Sequence, residues 1–442
     1  MIGLGKLGLP LAAVLASSGF NVIGSDVSQR VVDAVRSRRV ISPEPGLSEL
    51  LSTIDQSMLT ATTDIADAVE RTDATFVIVP TPSDLDHRFS LRFIEDACHE
   101  IARGLARKSA YHLVVITSTV LPGSTAGIIA PLLAAESGKR LGTDFGICYS
   151  PEFIALGNAL AGMQHPDFLL VGECDEQSGE NLVDIYSRLY KALPPVARMS
   201  CESAELAKLA VNTFVTTKIS YANMIAAVCE RLPGTEAQDV LRAVGMDPRI
   251  GTGYLKPGLG YGGPCFPRDN LALIATAASV GCEMPLARAT HDFNELQAPR
   301  LAEKVLSATG GRGTVGILGL AYKPNTEVTE CSQGVEIAQH LAARGVHVRV
   351  YDPVAGQNAF AVLGDSVEFA ESMHDCARSA DVVVIATAWD EFKGLSQDDL
   401  KQSLSGPFIF DCWDVLQPGR FAPSVRRWTP GSPESAAVPQ LG

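Results

Sequence analysis

The chain has 442 residues, of which 46% are hydrophobic and 19% charged, enough for about three ordinary globular domains. Its net charge is −14 and no lysine- or arginine-rich run appears, which argues against nucleic acid as a partner. The ten cysteines are scattered without metal-ligand spacing, and no apolar stretch reaches the ~18 residues of a membrane span. We therefore predict a cytoplasmic protein without a metal site and without a membrane partner.

The chain begins with a glycine-rich pattern in which Gly3, Gly5 and Gly8 match GxGxxG. A helical run follows, and a short apolar run then leads to Asp26, 18 positions after Gly8. In a dinucleotide-binding unit such glycines let the backbone approach the pyrophosphate, and an acidic residue at this distance binds the ribose hydroxyls. We predict an NAD site, in which Asp26 disfavours the extra phosphate of NADP. The alternative is a glycine-rich turn with a surface aspartate.

Only Met1 and Ile2 precede Gly3. The first strand of such a unit usually lies in the middle of the sheet and brings several apolar residues. We therefore expect either that the true start codon lies upstream or that the first strand is strongly shortened.

Strand-like and helix-like patterns alternate to about residue 197, which predicts a parallel sheet with helices on both faces. A long proline-free helical pattern lies between Pro195 and Pro233, and the alternation resumes at Gly313. We predict an α/β fold with two Rossmann-like doubly wound domains joined by a long central helix and a helical domain. The predicted boundaries are 1–197 for the NAD-binding domain, 198–309 for the central helical domain, 310–420 for the second Rossmann-like domain and 421–442 for a disordered tail.

The segment GLGYGGPCFPRD, from Gly258 to Asp269, holds Cys265 among four glycines and two prolines. Glycine lets the chain approach a ligand closely and proline stiffens it, so the loop is suited to hold one thiol. A helical pattern begins at Asp269, which predicts that the thiol lies near a helix N-terminus, where a thiolate is favoured. A buried structural cysteine is the alternative.

Three further segments carry polar groups that could act with this thiol. They are Ser118 and Thr119 after one predicted strand, Glu152 after the next, and Lys208 and Asn212 four residues apart on the long helix. Each also has a plain interpretation, as a helix cap, a surface carboxylate or a solvated helix face.

Together these segments resemble the UDP-glucose/GDP-mannose dehydrogenase family over nearly the whole chain. The matching motifs are GLGKLGLPLA at the N-terminus, Glu44-Pro-Gly46, Thr81-Pro82, Ser118-Thr119-Val120, Pro151-Glu152-Phe153, AELAKLAVNTF around Lys208, Asp247-Pro-Arg249-Ile-Gly251, GYGGPCFPRD and GLAYKPNT near Lys323. The cysteine motif is highly specific. Members of this family use NAD to take four electrons from the primary alcohol of a nucleotide sugar, which yields the uronic acid.

The resemblance implies a covalent mechanism. A first hydride transfer gives an aldehyde, which the Cys265 thiolate traps as a thiohemiacetal, and a second gives a thioester that water hydrolyses. The implied roles are stabilisation of negative charge on oxygen by Lys208 and Asn212, positioning of a water and the alcohol by Asp269 and Thr119, and base catalysis of hydrolysis by Glu152.

The resemblance also implies the ligand contacts. The residues expected to bind NAD are Gly3, Gly5, Gly8, Asp26, Thr81, Ser118 and Thr119. Those expected to bind the nucleotide sugar are Phe153, Arg249, Tyr254, Leu255, Lys256, Phe266 and Lys323. The second Rossmann-like domain, which carries Lys323, is the expected nucleotide-sugar-binding domain. Lys323 would meet the diphosphate, and Arg249 would reach the sugar site of a neighbouring subunit. The expected assembly is a homodimer packed through the central helix.

Two positions depart from the family pattern and bear on the substrate. Leu156 stands where glucose-type members commonly carry a second carboxylate, and Glu330 stands where an arginine often lies four positions after KPNT. We expect UDP-glucose, with UDP-N-acetylhexosamine and GDP-mannose as alternatives. The competing functions are a two-electron NAD-dependent dehydrogenase of a 3-hydroxy acid, which needs no nucleophilic cysteine, and an inactive nucleotide-sugar binding protein.

Overall fold

The computed structural model describes residues 1–41, 44–154, 156–401, 407–417 and 419–433. The chain divides into two compact units. The first unit combines Met1–Val211 with Ala275–Cys282, and the second combines Asn212–Ile274 with Glu283–Gly442.

The first unit contains a mainly parallel sheet. Its strands are β1 (Val22–Ser25), β2 (Leu59–Thr62), β3 (Ala74–Val77), β4 (His112–Ile116), β5 (Phe145–Tyr149), β6 (Leu169–Glu173) and β7 (Val196–Ser200). Strands β3 to β7 pair in chain order, and only the β5–β6 pair is antiparallel. Strands β1 and β2 form a parallel pair, which Ile2 connects to the larger sheet through single bridges to Ser25 and Val77.

Helices cover both faces of this sheet. They are α1 (Gly8–Ser17), α2 (Gln29–Arg36), α3 (Leu47–Thr53), α4 (Ile65–Glu70), α5 (Arg92–Arg107), α6 (Ala130–Ser137), α7 (Ala159–Gln164) and α8 (Glu176–Leu189). One apolar core lies under α1, α2, α3, α7 and α8, and a second lies under α4, α5 and α6. Two cores on opposite faces are what a doubly wound sheet requires, because its strands are buried on both sides.

The central part of the chain is helical. Its helices are α9 (Cys201–Cys229), α10 (Ala237–Gly245), α11 (Phe266–Ser279), α12 (Pro285–Glu295) and α13 (Gln297–Thr309). Helix α9 has 29 residues, which confirms the long helix predicted between Pro195 and Pro233. Within the described residues, no helix has the length and apolar character needed to cross a membrane.

The second unit carries a six-stranded sheet in which every pair is parallel. Its strands are β8 (Thr314–Leu318), β9 (His347–Tyr351), β10 (Glu368–Phe369), β11 (Val382–Ile385), β12 (Phe408–Asp411) and β13 (Arg426–Trp428), and its helices are α14 (Gln333–Ala343), α15 (Gly356–Leu363) and α16 (Met373–Arg378). The order is β10-β9-β8-β11-β12-β13, so the strand order reverses between β8 and β11. This reversal confirms the second doubly wound sheet.

The prediction of a disordered tail at 421–442 is wrong for residues 421–433. Strand β13 pairs with β12 inside this segment, and the Trp428 ring lies 5.4 Å from the ring of Phe410, centre to centre. Trp428 is only 8% exposed. The segment's proline, serine and arginine content suggests disorder, but the pairing of β13, the burial of Trp428 and the ion pairs of Arg427 with Asp411 and Asp414 together help to offset the entropy of ordering. Residues 434–442 lie outside the described residues.

Candidate active site

The GxGxxG segment forms a tight turn before α1. Gly3 has φ 85°, and a Cβ there would lie 2.3 Å from the carbonyl oxygen of Ile78. A Cβ on Gly8 would lie 1.9 Å from the carbonyl oxygen of Gly3, whereas a Cβ on Gly5 would meet nothing within 4 Å. Gly3 and Gly8 therefore shape the turn, and Gly5 leaves open space before the helix N-terminus, where a pyrophosphate binds. The segment fits NAD.

Asp26 follows β1 and faces the glycine turn. Its Oδ2 accepts a hydrogen bond from the Leu4 N–H, and its Oδ1 accepts one from the Ser28 N–H, both at 2.9 Å. The side chain is half-buried. Because a carboxylate offers about four acceptor sites, Asp26 is oriented by the backbone and still able to accept bonds from a ribose diol.

Thr81, Ser118 and Thr119 lie at the ends of β3 and β4. The Ser118 hydroxyl donates to the carbonyl of Val79 at 2.7 Å and accepts from its N–H at 2.8 Å, and the Thr81 hydroxyl donates to the carbonyl of Thr119 at 2.8 Å. Thr81 and Ser118 are buried, and Thr119 is half-buried. The first two hydroxyls thus fix the strand ends, and Thr119 is the more accessible of the three.

Glu152 and Phe153 follow β5, and Lys208 of α9 contacts both. The Lys208 Nζ donates to the carbonyl of Glu152 at 2.7 Å and lies 4.4 Å from the centre of the Phe153 ring. Burial raises the pKa of Glu152 to about 7, although the charge of Lys208 acts in the opposite direction. A carboxyl group that titrates near neutral pH can take up and release a proton under physiological conditions.

The connection after Glu152 is held by Glu44. The Glu44 carboxylate accepts hydrogen bonds from the N–H groups of Gly157 at 3.0 Å and Leu160 at 3.1 Å. Sequence reasoning included Glu44 only as part of a motif and assigned it no task. Leu156, in the same connection, is half-buried.

Cys265 directly precedes α11, which begins at Phe266 rather than at the predicted Asp269. Proline is well tolerated in the first turn of a helix, so Pro267 does not delay its start. The Asp269 N–H donates to the carbonyl of Cys265 at 2.8 Å, which is the first helical bond. The exposed thiol of Cys265 therefore lies at a helix N-terminus, where a thiolate is favoured.

Asp269 and Asn212 form a buried polar cluster behind this helix start. The Asp269 side chain is only 1% exposed, and its Oδ2 accepts from the Asn212 Nδ2 at 2.7 Å. Its Oδ1 accepts from the guanidinium of Arg268, with both nitrogens at 3.2 Å. A buried carboxylate requires such partners. Sequence reasoning missed Arg268, although its position next to Asp269 in the cysteine motif was a usable signal.

The predicted sugar-side residues have unequal surroundings. Tyr254 has φ 62°, is 55% exposed, and makes an edge contact with Phe266 at 6.3 Å between ring centres. Lys256 is exposed. The Leu255 side chain belongs to the apolar core beside α9 and α10, so only its backbone could face a ligand. Arg249 is 86% exposed at its side chain and forms an ion pair with Asp247 at 2.6 Å.

Lys323 lies half-buried in the connection between β8 and α14. Its Nζ is 5.9 Å from the centre of the Tyr322 ring. A Cβ on Gly263 would lie 2.5 Å from that ring, so Tyr322 packs against the cysteine loop. Burial, with a smaller effect of Cys265, raises the pKa of Tyr322. Sequence reasoning missed Tyr322, which links the predicted diphosphate lysine to the nucleophile loop.

Glu330, the other departure from the family pattern, is exposed, and its carbonyl accepts the Gly263 N–H at 3.0 Å. Across the described ranges of the chain, no group of three or more His, Cys, Asp or Glu side chains could hold a metal ion.

Comparison with protein families matches three consecutive domains of one family. Residues 1–190 match the NAD binding domain of the UDP-glucose/GDP-mannose dehydrogenase family, residues 202–296 its central domain and residues 316–418 its UDP binding domain. The matches confirm the predicted NAD cofactor and the predicted nucleotide-binding character of the second Rossmann-like domain.

Individual relatives agree over nearly the whole chain. UDP-glucose 6-dehydrogenase AglM of Haloferax volcanii is 37% identical and covers 90% of this chain and 93% of its own length. GDP-mannose 6-dehydrogenase of Azotobacter vinelandii is 31% identical, with the same two coverages of 90% and 93%. The structure of a UDP-glucose dehydrogenase from Pyrobaculum islandicum superposes with a TM-score of 0.85 at 37% identity, covering 95% of this chain and 97% of that one. The chain therefore belongs to the UDP-glucose/GDP-mannose dehydrogenase family.

Proposed function

We propose that this protein oxidises the C6 primary alcohol of UDP-glucose to the uronic acid. The observation that carries this proposal is the exposed Cys265 thiol at the N-terminus of α11, where Asp269 of the first turn forms a buried hydrogen bond with Asn212 of α9. The 37% identity to a UDP-glucose 6-dehydrogenase favours the sugar. GDP-mannose is the second candidate because a GDP-mannose 6-dehydrogenase is 31% identical over a similar length.

The thiol supplies the covalent step of the proposed reaction. When bound, NAD accepts the hydrides that the two oxidation steps remove from C6. The Cys265 thiolate adds to the C6 aldehyde and forms a C–S bond, which keeps that carbon in the site as a thiohemiacetal and then as a thioester. Water cleaves the thioester, so the thiolate is regenerated and the carboxylate product leaves.

The neighbouring polar groups stabilise and move charge in this scheme. Asn212 is oriented by Asp269, so its second amide hydrogen is available to an oxyanion, and the Lys208 ammonium adds positive charge. Asp269 and Thr119 position the water and the alcohol. Glu152, with its pKa raised to about 7, acts as the base that activates water.

The remaining predicted residues bind the two ligands. Those proposed for NAD are Gly3, Gly5, Gly8, Asp26, Thr81, Ser118 and Thr119. Those proposed for the nucleotide sugar are Phe153, Arg249, Tyr254, the backbone of Leu255, Lys256, Phe266 and Lys323. Lys323 provides local positive charge for a diphosphate in a protein of net charge −14.

We also propose a homodimer packed through α9. Large apolar side chains recur along one exposed stripe of this helix and its end, namely Phe214, Tyr221, Met224, Val228 and Leu232. Phe214 is 65% exposed and Leu232 is 52% exposed. A contiguous exposed apolar stripe indicates an interface. The exposed Arg249 is then free to exchange its Asp247 partner for a ligand of the second subunit.

We place the enzyme in the cytoplasm. The ten cysteines all lie within the described residues and form no disulfide, and the proposed nucleophile is exposed. A reducing compartment keeps such a thiol active.

The decisive experiment counts NADH formed per sugar consumed, with UDP-glucose, UDP-N-acetylglucosamine and GDP-mannose as substrates. We expect about two NADH per UDP-glucose, because a four-electron oxidation releases two hydrides. A ratio of about one would indicate a two-electron dehydrogenase. No turnover with any of the three sugars would favour a binding protein.

Two variants test the assigned residues. Cys265→Ala should abolish uronate formation while NAD affinity stays within about twofold, since no covalent capture remains. Full activity in this variant would remove the thioester from the mechanism.

Arg249→Ala should raise the KM for the sugar without changing the melting temperature, and an unchanged KM would exclude a role at the neighbouring site.

A further inference from the structure

The loop that carries the nucleophile is rich in glycine and yet held at several points. Gly258, Gly260, Gly262 and Gly263 lie within eight residues of Cys265. Glycine loses more conformational freedom on folding than any other residue, so such a segment needs partners to adopt one geometry. Two of the partners in this structure are asparagine side chains that sequence reasoning did not single out.

Asn223 of α9 holds the start of the loop. Its Oδ1 accepts the Gly258 N–H at 3.0 Å, and its Nδ2 donates to the carbonyl of Leu259 at 3.0 Å. Asn223 is 5% exposed. Its amide therefore pairs with the loop backbone through both of its polar atoms, as a neighbouring strand would.

Asn294 of α12 holds the middle of the loop in the same way. Its Oδ1 accepts the Tyr261 N–H at 2.8 Å, and its Nδ2 donates to the carbonyl of Tyr261 at 3.0 Å. Asn294 is 3% exposed. A Cβ on Gly260 would lie 2.6 Å from the Asn294 Oδ1, so the glycine is required for the amide to approach.

We propose that Asn223 and Asn294 are positioning residues that hold the Cys265 thiol where it captures the aldehyde. This inference rests on the proposed four-electron oxidation. Two bidentate amides specify both the position and the rotation of the loop backbone, which single contacts would not do. Only an amide offers an acceptor and a donor in this geometry, so other side chains of similar size break one bond of each pair.

A loosened loop has a distinctive chemical consequence. The first oxidation does not need the C–S bond, whereas the second acts on the thiohemiacetal. If Cys265 is misplaced, the aldehyde is released before capture. A general loss of folded enzyme lowers both oxidations equally and releases no aldehyde. The ratio of free aldehyde to uronate therefore separates positioning from stability.

The experiment compares the full-length wild type with Asn223→Ala, Asn294→Ala and the control Gln297→Ala. Gln297, the first residue of α13, is a half-buried amide near Asn294 that donates to the carbonyl of Phe293 in α12 at 2.7 Å and, among the described residues, makes no bond to the cysteine loop. With UDP-glucose and NAD, a hydrazine reagent traps free aldehyde while uronate and NADH are counted. We expect at least tenfold more aldehyde per uronate in both asparagine variants, NADH per sugar falling from about two towards one, and wild-type ratios in Gln297→Ala.

A second measurement needs no turnover. Alkylation of Cys265 by iodoacetamide, followed by peptide mass spectrometry across pH, reports the thiolate directly. We expect the alkylation midpoint to rise by about one pH unit in the two asparagine variants, because the thiol leaves the helix N-terminus. Unchanged midpoints with unchanged aldehyde ratios would overturn the proposal. A wild type that forms no uronate would overturn the proposed function instead, and the alkylation profiles would still decide the positioning role.

Discussion

The chain has two α/β regions, the first containing strands β1 to β7 and the second strands β8 to β13. The carboxylates that follow their strands differ in burial and in the number of hydrogen bonds that they accept. In the first region Asp26 after β1 is half-buried and accepts two backbone N–H groups, one on each oxygen. In the second region Asp352 after β9 is 8% exposed and accepts four backbone N–H groups and the indole N–H of Trp389. Five donors saturate a carboxylate, so Asp352 has no capacity left for a ligand.

The same contrast appears at a second pair of strand ends. Glu152 after β5 is half-buried, and its carboxyl group has a pKa raised to about 7. Asp411 at the end of β12 is fully buried and accepts the N–H groups of Val415 and Leu416 and the guanidinium of Arg427. The strand-end carboxylates Asp26 and Glu152 of the first region thus keep some exposure, whereas Asp352 and Asp411 of the second are buried and bound by internal donors.

The connection before the first helix of each region differs accordingly. Gly3, directly after the single-residue bridge at Ile2, and Gly319, directly after β8, both have positive φ, 85° and 106°. In the first region α1 begins at Gly8, whereas in the second α14 begins only at Gln333. The longer connection carries Lys323. We propose that the first region binds NAD through the N-terminus of α1 and the Asp26 carboxylate, and that the second binds the nucleotide through the loop that carries Lys323.

The largest expected effect comes from removing the saturated carboxylate. Asp352→Ala should lower the free energy of unfolding by about 3–5 kcal/mol, because it leaves several buried donors without an acceptor. Urea unfolding and hydrogen exchange of the Leu320 and Ala321 amides measure this. Asp365→Ala, at an exposed aspartate of the same region, is the control and should cost less than about 0.5 kcal/mol. A similar cost for both variants would contradict the inference that the hydrogen bonds of the buried Asp352 carboxylate stabilise the second region.

The next effect is the pH dependence of product release. Because the pKa of Glu152 is raised to about 7, the group is protonated below that pH and cannot act as a base. Single-turnover hydrolysis of the thioester should slow about tenfold per pH unit well below 7, and Glu152→Gln should lack this dependence. A rate that does not change between pH 8 and about pH 5 would exclude Glu152 as the base.

The same shift affects stability. The folded state retains a proton on Glu152 that the unfolded chain releases near the ordinary value of 4.5, so Glu152 makes folding less favourable as the pH rises from 4.5 to about 7. Glu152→Gln should reduce this loss of stability, as measured by the melting temperature at both pH values.

A smaller effect is expected at Asp26, the half-buried carboxylate that follows β1 in the first region. Asp26→Ala should weaken NAD binding about 10- to 30-fold, because the ribose hydroxyls lose a charged acceptor. Affinity for the nucleotide sugar should not change, and calorimetric titration of each ligand measures both. Equal weakening of both ligands would mean that Asp26 acts through the fold rather than through NAD.

The sequence predicted the architecture well because strands and helices leave patterns within short stretches of the chain. The apolar alternation and the proline-free stretch identified both sheets and α9. It did not predict strand β13. The composition of the tail favours disorder, and the burial of Trp428 depends on contacts with Phe410 of β12 that the local sequence does not show. The sequence predicts the start of α11 three residues too late, because a proline at 267 after a glycine-rich segment favours a loop.

For the site, the sequence points to candidate catalytic residues but not to the residues that hold them in place. Cys265, Asp269 and Lys208 stand in recognisable motifs. Asn223 and Asn294 lie 42 and 29 residues away from Cys265 along the chain and carry ordinary amides, so only their contacts with the loop backbone distinguish them. A saturated aspartate such as Asp352 likewise cannot be told from a ligand-binding one without its hydrogen bonds.

The smallest predicted effect tests whether Asp352 is tied by many weak contacts or by a few strong ones. Trp389→Phe removes one of five donors, the indole N–H at 3.1 Å, and keeps most of the ring in place. We expect a cost of about 1 kcal/mol, since four backbone donors remain. A double-mutant cycle with Asp352→Ala, which removes both acceptor oxygens, measures the coupling between the two side chains. If the two changes are additive, the indole bond contributes nothing and the backbone alone ties the carboxylate; a coupling of about 1 kcal/mol shows that the side chain takes part.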